Sequence, residues 1–253
     1  MTERTAHAIA ALIGIAVLAF VSACIAHEAV GHGGMCLLSG GRITLLTSVY
    51  ARCSISSPLI DAAGPSTGIL TGSILWAVLR MRTITSTTTR LFLVFAMAIN
   101  LFWGIGYLAF SGVTNGGDWA FLVRALDPSL QSAGRIAMAV AGAFAYLVSM
   151  RIVAKQLPAR VPLLVAYVSM GVVSCVAVLF YFGPTVPALR EAVNEGFLAP
   201  VGLLLIARRR AQGEDRDAGE GVSTIVRGNA WTVAAAVACI VFFATMGHGF
   251  GTA

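Results

Sequence analysis

Ala26-His27-Glu28-Ala29-Val30-Gly31-His32-Gly33-Gly34 closes the apolar run 8–28, and it sets two histidines and a carboxylate where a lipid-facing helix would carry none. The run ahead of it is near the ~20 residues needed to cross ~30 Å of hydrocarbon. Runs of similar length follow at 58–80, 90–112, 134–154, 161–183, 190–207 and 229–250. The expectation is an all-α polytopic transmembrane helix bundle of about seven spans, forming a single integral membrane domain over residues 1–253. The sixth span begins with the polar Arg190-Glu191-Ala192-Val193-Asn194-Glu195 and is interrupted by Pro200, so a half-helix or re-entrant segment is expected there.

Composition agrees with burial in lipid. Hydrophobic residues make up 58% of the 253 and charged residues only 11%, with a mean hydropathy of +0.85, beyond what a soluble core of this size needs. The net charge of +6 implies no nucleic-acid partner, because the basic residues flank apolar runs as topology signals. Arg4, Arg80, Arg82, Arg90, Arg151, Lys155, Arg160, Arg208, Arg209, Arg210, Arg216 and Arg227 are 12 of the 17 basic residues, and all fall on one side of the expected bundle. The positive-inside rule makes that side cytoplasmic, with the C-terminus outside a bacterial-type plasma membrane. Residues 208–228 read as a flexible cytoplasmic linker. Six of the eleven acids (Glu28, Asp61, Asp118, Asp127, Glu191, Glu195) and three of the four histidines then share the outer level. No acid lies near the cytoplasmic end of a span, which speaks against a transmembrane proton relay.

The histidines of the opening stretch are five residues apart. At about 100° per residue an ideal helix points positions 27 and 32 about 140° apart, whereas 28 and 32 lie within about 40°. Two arrangements would turn both rings to one ion: a π-bulge that absorbs the extra residue, or a helix that ends at Gly31 and folds His32 back through the glycines. A third makes Glu28 and His32 the ligands and leaves His27 behind them. The pattern is a one-residue expansion of HExxH, in which two histidines bind zinc and the glutamate activates its water. A metal site within the membrane is the expectation; helix-end polar residues that bind nothing are the plainer alternative.

His27 to His32, followed by Ser39-Gly40-Gly41-Arg42-Ile43 and Asp61-Ala62-Ala63-Gly64-Pro65, resembles the site-2 protease class of intramembrane zinc metallopeptidases, especially its small bacterial members of the peptidase M50B-like type. The resemblance covers about the first 75 residues, with a weaker echo through Asn100 to Trp119. It implies Zn²⁺ held by His27, His32 and a later aspartate, for which Asp118 in Gly116-Gly117-Asp118-Trp119 is the candidate. It also implies Glu28 as general base and membrane-protein substrates. Asp61 and His248 are the other candidate ligands.

Gly64, Gly68 and Gly72 recur every four residues and are expected to pack the second span on the first. Gly64, Asn100 and Tyr107 are candidate cavity-lining residues, and Trp103 and Trp119 read as interface or core aromatics. Cys36 and Cys53 share one loop and could pair in an oxidising compartment. Two rival functions stand beside the peptidase. A lipid amide hydrolase resembling the seven-helix ceramidases would call His248 into the site. A non-catalytic metal transporter or sensor would be expected to carry an internal repeat, and none is found.

Overall fold

A computed structural model describes residues 3–158, 161–212 and 229–251; most of the expected 208–228 linker lies outside the described residues. The chain opens as one helical rod made of α1 (Glu3–Cys24), a π-helical stretch (Ile25–Gly33) and α2 (Gly34–Leu38). α1 is apolar around its whole circumference, as a central helix must be, and Leu12, Ile15, Ala16, Ala19 and Phe20 are completely shielded. Against it stand α4 (Thr87–Thr114), α7 (Leu163–Val178) and α10 (Ala230–Phe242), while α3 (Pro58–Met81) packs on the π stretch and on α4, and α6 (Pro128–Gln156) packs on α4. The short α5 (Asp118–Arg124) connects α4 to α6. Polar caps start the long helices: Ser57 accepts from the Leu59 amide at 3.3 Å, Ser86 from Thr89 at 3.3 Å and Asp127 from Ser129 at 2.9 Å.

Small residues set the helix spacing. A Cβ on Gly112 would lie 2.6 Å from the Arg135 carbonyl, which fixes how closely α4 and α6 approach. The glycines of α3 divide their work. Gly64 meets the π stretch, while a Cβ on Gly68 would approach the Asn100 carbonyl at 3.2 Å and one on Gly72 the Leu101 amide at 3.1 Å, both on α4. The expectation that this whole face packs on the first span holds only for Gly64. The outer faces of α6 expose Ile136, Val140, Phe144 and Leu147, an apolar surface suited to lipid.

Five helical segments are long and apolar enough to cross a membrane: Glu3–Leu38, Pro58–Met81, Thr87–Thr114, Pro128–Gln156 and Ala230–Gly247. The expected fifth span contracts to the 16 residues of α7, about 24 Å at 1.5 Å per residue. The expected sixth is broken into α8 (Thr185–Val193), a second π stretch (Asn194–Leu198) and α9 (Val201–Gln212). Pro200, which has no amide hydrogen to donate, stands at that break.

The first connection contains a hairpin that the all-α expectation did not foresee, β1 (Ile43–Leu46) against β2 (Ala51–Cys53), antiparallel with an irregularity between Ile43 and Leu45. Cys36 and Cys53 form a disulfide that ties α2 to β2. Leu46 also exchanges backbone hydrogen bonds with Phe250, and the Ser48 amide donates to the Met246 carbonyl. The hairpin and the C-terminal end therefore share one end of the bundle.

Candidate metal centre

The extra residue between the histidines is absorbed by the π stretch. Its hydrogen bonds run five residues back, as from the Gly34 amide to the Ala29 carbonyl, so side chains five apart come to one face. Of the two local remedies legible in the sequence, the chain uses the bulge. Gly31 lets this wider helix approach α3, since a Cβ there would sit 2.6 Å from the Gly64 Cα. A Cβ on Gly64 would in turn fall within the His32 ring.

His27 Nε2 and His32 Nε2 lie 3.2 Å apart. Asp118 Oδ2 is 3.1 Å from the first and 3.6 Å from the second. A tetrahedral zinc with bonds of about 2.0–2.1 Å separates its ligand atoms by about 3.3–3.4 Å. The three sides of this triangle bracket that value, so the donor set could hold a metal ion. Two imidazole nitrogens and one carboxylate, with a fourth position left to water, also match zinc in donor type. Glu28 is buried beside the triangle, its Oε1 3.8 Å from His27 Nε2.

Each of the three side chains is held differently. His32 Nδ1 donates to the Ile60 carbonyl at 2.7 Å, which fixes the tautomer and aims the Nε2 lone pair at the triangle. His27 Nδ1 has no partner; its ring is held by packing instead, stacked on Trp103 with centroids 4.5 Å apart and met edge-on by Tyr107 at 6.0 Å. Trp103 stacks on Phe20 behind it at 6.1 Å, so the core of α1 and α4 carries the ring. Asp118 opens α5 after a turn in which Asn115 (φ 55°) and Gly117 (φ 76°) take left-handed conformations. Burial acts to raise its pKa, but the hydrogen bonds with His27 and His32 outweigh this and hold the carboxyl below the usual carboxylate range. Its side chain keeps 23% of its surface accessible while that of His27 keeps 3%, so the site is open on the Asp118 side.

The other expected site residues scatter. Asp61 stands on the first turn of α3, within electrostatic reach of His32 and Asp118 but outside the triangle. His248 is exposed, its ring 5.5 Å from Phe182. Asn100 is buried, but its amide donates to the Ala96 carbonyl one turn back and its Oδ1 has no partner. Gly64 and Tyr107 do border the histidines.

Two contributors escaped the sequence reading. Trp103 was legible only as a core aromatic. Glu195 was one acid among several, yet it is buried on the second π stretch within electrostatic reach of Glu28, Glu191 and Asp118.

Compared with family models, with curated proteins and with solved structures, the chain matches none. Its class rests on its own features: a helical bundle with five membrane-length apolar helices, and a buried two-histidine, one-aspartate cluster that could hold a metal ion.

Proposed function

We propose that this protein is an intramembrane zinc metallopeptidase of the site-2 protease type, hydrolysing peptide bonds of membrane proteins. The observation that carries the reading is the triangle of His27, His32 and Asp118 with the Glu28 carboxyl beside it. Zinc, when bound there, supplies a Lewis acid and makes water acidic enough to lose a proton near neutral pH. Glu28, buried with its Oε1 3.8 Å from His27 Nε2, is the carboxyl that would take that proton. Asp118, through its accessible edge, gives water a way in. The two imidazoles stay fixed, one by the Ile60 carbonyl and one by the Trp103 stack, so little reorganisation is needed during reaction.

An apolar cavity of about 500 Å³ supports a substrate that arrives from lipid. It lies between α4, α6 and the α8–α9 segment, with Tyr107, Phe110, Tyr146, Leu147, Asn194 and Leu198 among its walls. Tyr107 links it to the His27 ring. A helical substrate has its peptide bonds closed by hydrogen bonds, so it must unwind to be cut.

We read α7 and the α8–α9 segment as two further traverses; an odd count sets the two termini on opposite sides, and the basic residues at the end where α1 starts assign that end to the cytoplasm and the site to the outer side. The pairing of Leu46 with Phe250 at one end supports this. So does the basic end opposite, where Arg90 donates to Gln156 and Arg210 to the Pro158 carbonyl.

The same cavity favours one second reading, a lipid amide hydrolase with its acyl chain in the apolar space. The position of His248, away from the triangle, weighs against it. The test is cleavage of a fluorogenic transmembrane peptide by the full chain in zinc-containing proteoliposomes. Cleavage by wild type that falls at least 100-fold in Glu28→Gln supports the peptidase; ceramide hydrolysis without peptide cleavage would select the rival.

A further inference from the structure

Glu195 is among the few charged side chains that are almost fully buried, at 3% exposure, and its Oε2 has no hydrogen-bond partner. Among the described residues it forms no ion pair. It is not on a loose segment. Gly196 presses the π stretch onto α7, where a Cβ would lie 2.6 Å from the Ser174 Cβ, and Ser174 Oγ donates to the Ala192 carbonyl at 3.0 Å. The ionisable groups that reach Glu195 electrostatically are Cys24 and Glu28 from the first rod, Tyr50 in the hairpin turn, Tyr107 on α4, Asp118 at the start of α5 and Glu191 on α8. None of them is a cation.

A buried carboxyl is normally paired or hydrogen-bonded, because stranding it costs several kcal/mol. One placed among other carboxyls sheds its charge instead. A buried carboxyl without a partner, within electrostatic reach of Glu28 and Asp118, calls for a chemical use. Asn194, its neighbour, lines the apolar cavity that is also lined by Tyr107, the residue that meets the His27 ring edge-on.

Building on the hydrolytic reading above, we propose that Glu195 is a second acid–base residue of the site, a neutral carboxylic acid that delivers the proton to the leaving nitrogen while Glu28 takes the proton from water. As Glu28 accepts one water proton, the water oxygen bonds to the carbonyl carbon. The C–N bond then breaks, its electron pair stays on nitrogen, and the Glu195 acid protonates that nitrogen and becomes a carboxylate. The proton held by Glu28 returns through water to Glu195, restoring both groups. Dividing the work spares Glu28 from reaching both faces of the scissile bond.

Two measurements on the purified full chain test this. In infrared H/D difference spectra at pH 7, the carbonyl stretch of a protonated carboxyl is lost in Glu195→Gln and kept in Glu191→Gln. Loss of a carboxylate band in place of the acid band would overturn the proposal. With the transmembrane peptide, Glu195→Gln keeps about one zinc per chain and the wild-type KM while kcat falls about 10²–10⁴-fold. Glu195→Asp, an acid one methylene shorter, recovers part of that loss. Wild-type kcat in Glu195→Gln would overturn the proton-donor role. Zinc-loaded wild type that cuts no peptide would defeat the peptidase, and with it this role, whatever the infrared result.

Discussion

Gly64→Ala adds a single methyl carbon and strikes the site directly. That carbon would lie 2.6 Å from His32 Cε1 and 2.7 Å from Cδ2, where ordinary contact begins near 3.4 Å, so the ring must retreat by on the order of 1 Å. It cannot do so freely, because Nδ1 is tied to the Ile60 carbonyl at 2.7 Å on α3 itself. Zinc–nitrogen bonds tolerate departures of about 0.2 Å, so a 1 Å retreat takes His32 out of the ligand set. The expected result is a fall in zinc affinity of at least the ~10–100-fold typical of disturbed outer-shell partners. Chelator competition on the detergent-purified chain reads this, with Gly68→Ala as control, since its methyl would meet the Asn100 carbonyl at a milder 3.2 Å. Wild-type zinc affinity in folded Gly64→Ala would refute the claim that His32 is a fixed ligand.

Trp103→Ala removes the face on which His27 stacks and opens the core behind it; it should cost about 3–5 kcal/mol in reversible unfolding and weaken zinc binding, while Trp103→Phe should lose less of both. Cys36→Ser with Cys53→Ser opens a link across 17 residues, and loop-closure entropy gives a loss of about 3 kcal/mol, seen as a lower melting temperature. On acidification zinc should leave as protons compete with it for the two imidazole nitrogens. Asp118 does not set that limit: its lowered pKa means that its stabilising charge is present above the unfolded value of about 3.9 and is lost only as the pH falls through the lower folded value. Zinc retained down to pH 4 would contradict the two-histidine ligation.

Much of the architecture was legible because lipid imposes long apolar runs, and the ends of α1, α3 and α4 fall close to those runs. The i,i+5 spacing of His27 and His32 announced that a regular helix would fail, and the choice of the π stretch depended on how Gly31 seats against Gly64. Asp118 was reachable through resemblance alone, since no local pattern links residue 118 to residue 27. The Ile60 carbonyl was invisible because backbone groups carry no sequence signature. The hairpin was missed because its strands are four and three residues long. Glu195 looked like a polar helix end; only the break at Pro200 and the docking on α7 carry it inside. The shortness of α7 escaped notice because hydropathy records apolarity and not where a helix stops.

Metal content tests the central claim most directly. Mass spectrometry of the purified full chain should find about one zinc per protein, lost in His27→Ala, His32→Ala and Asp118→Ala and retained in His248→Ala. Folded wild type without metal, or zinc that survives all three substitutions, would contradict the account.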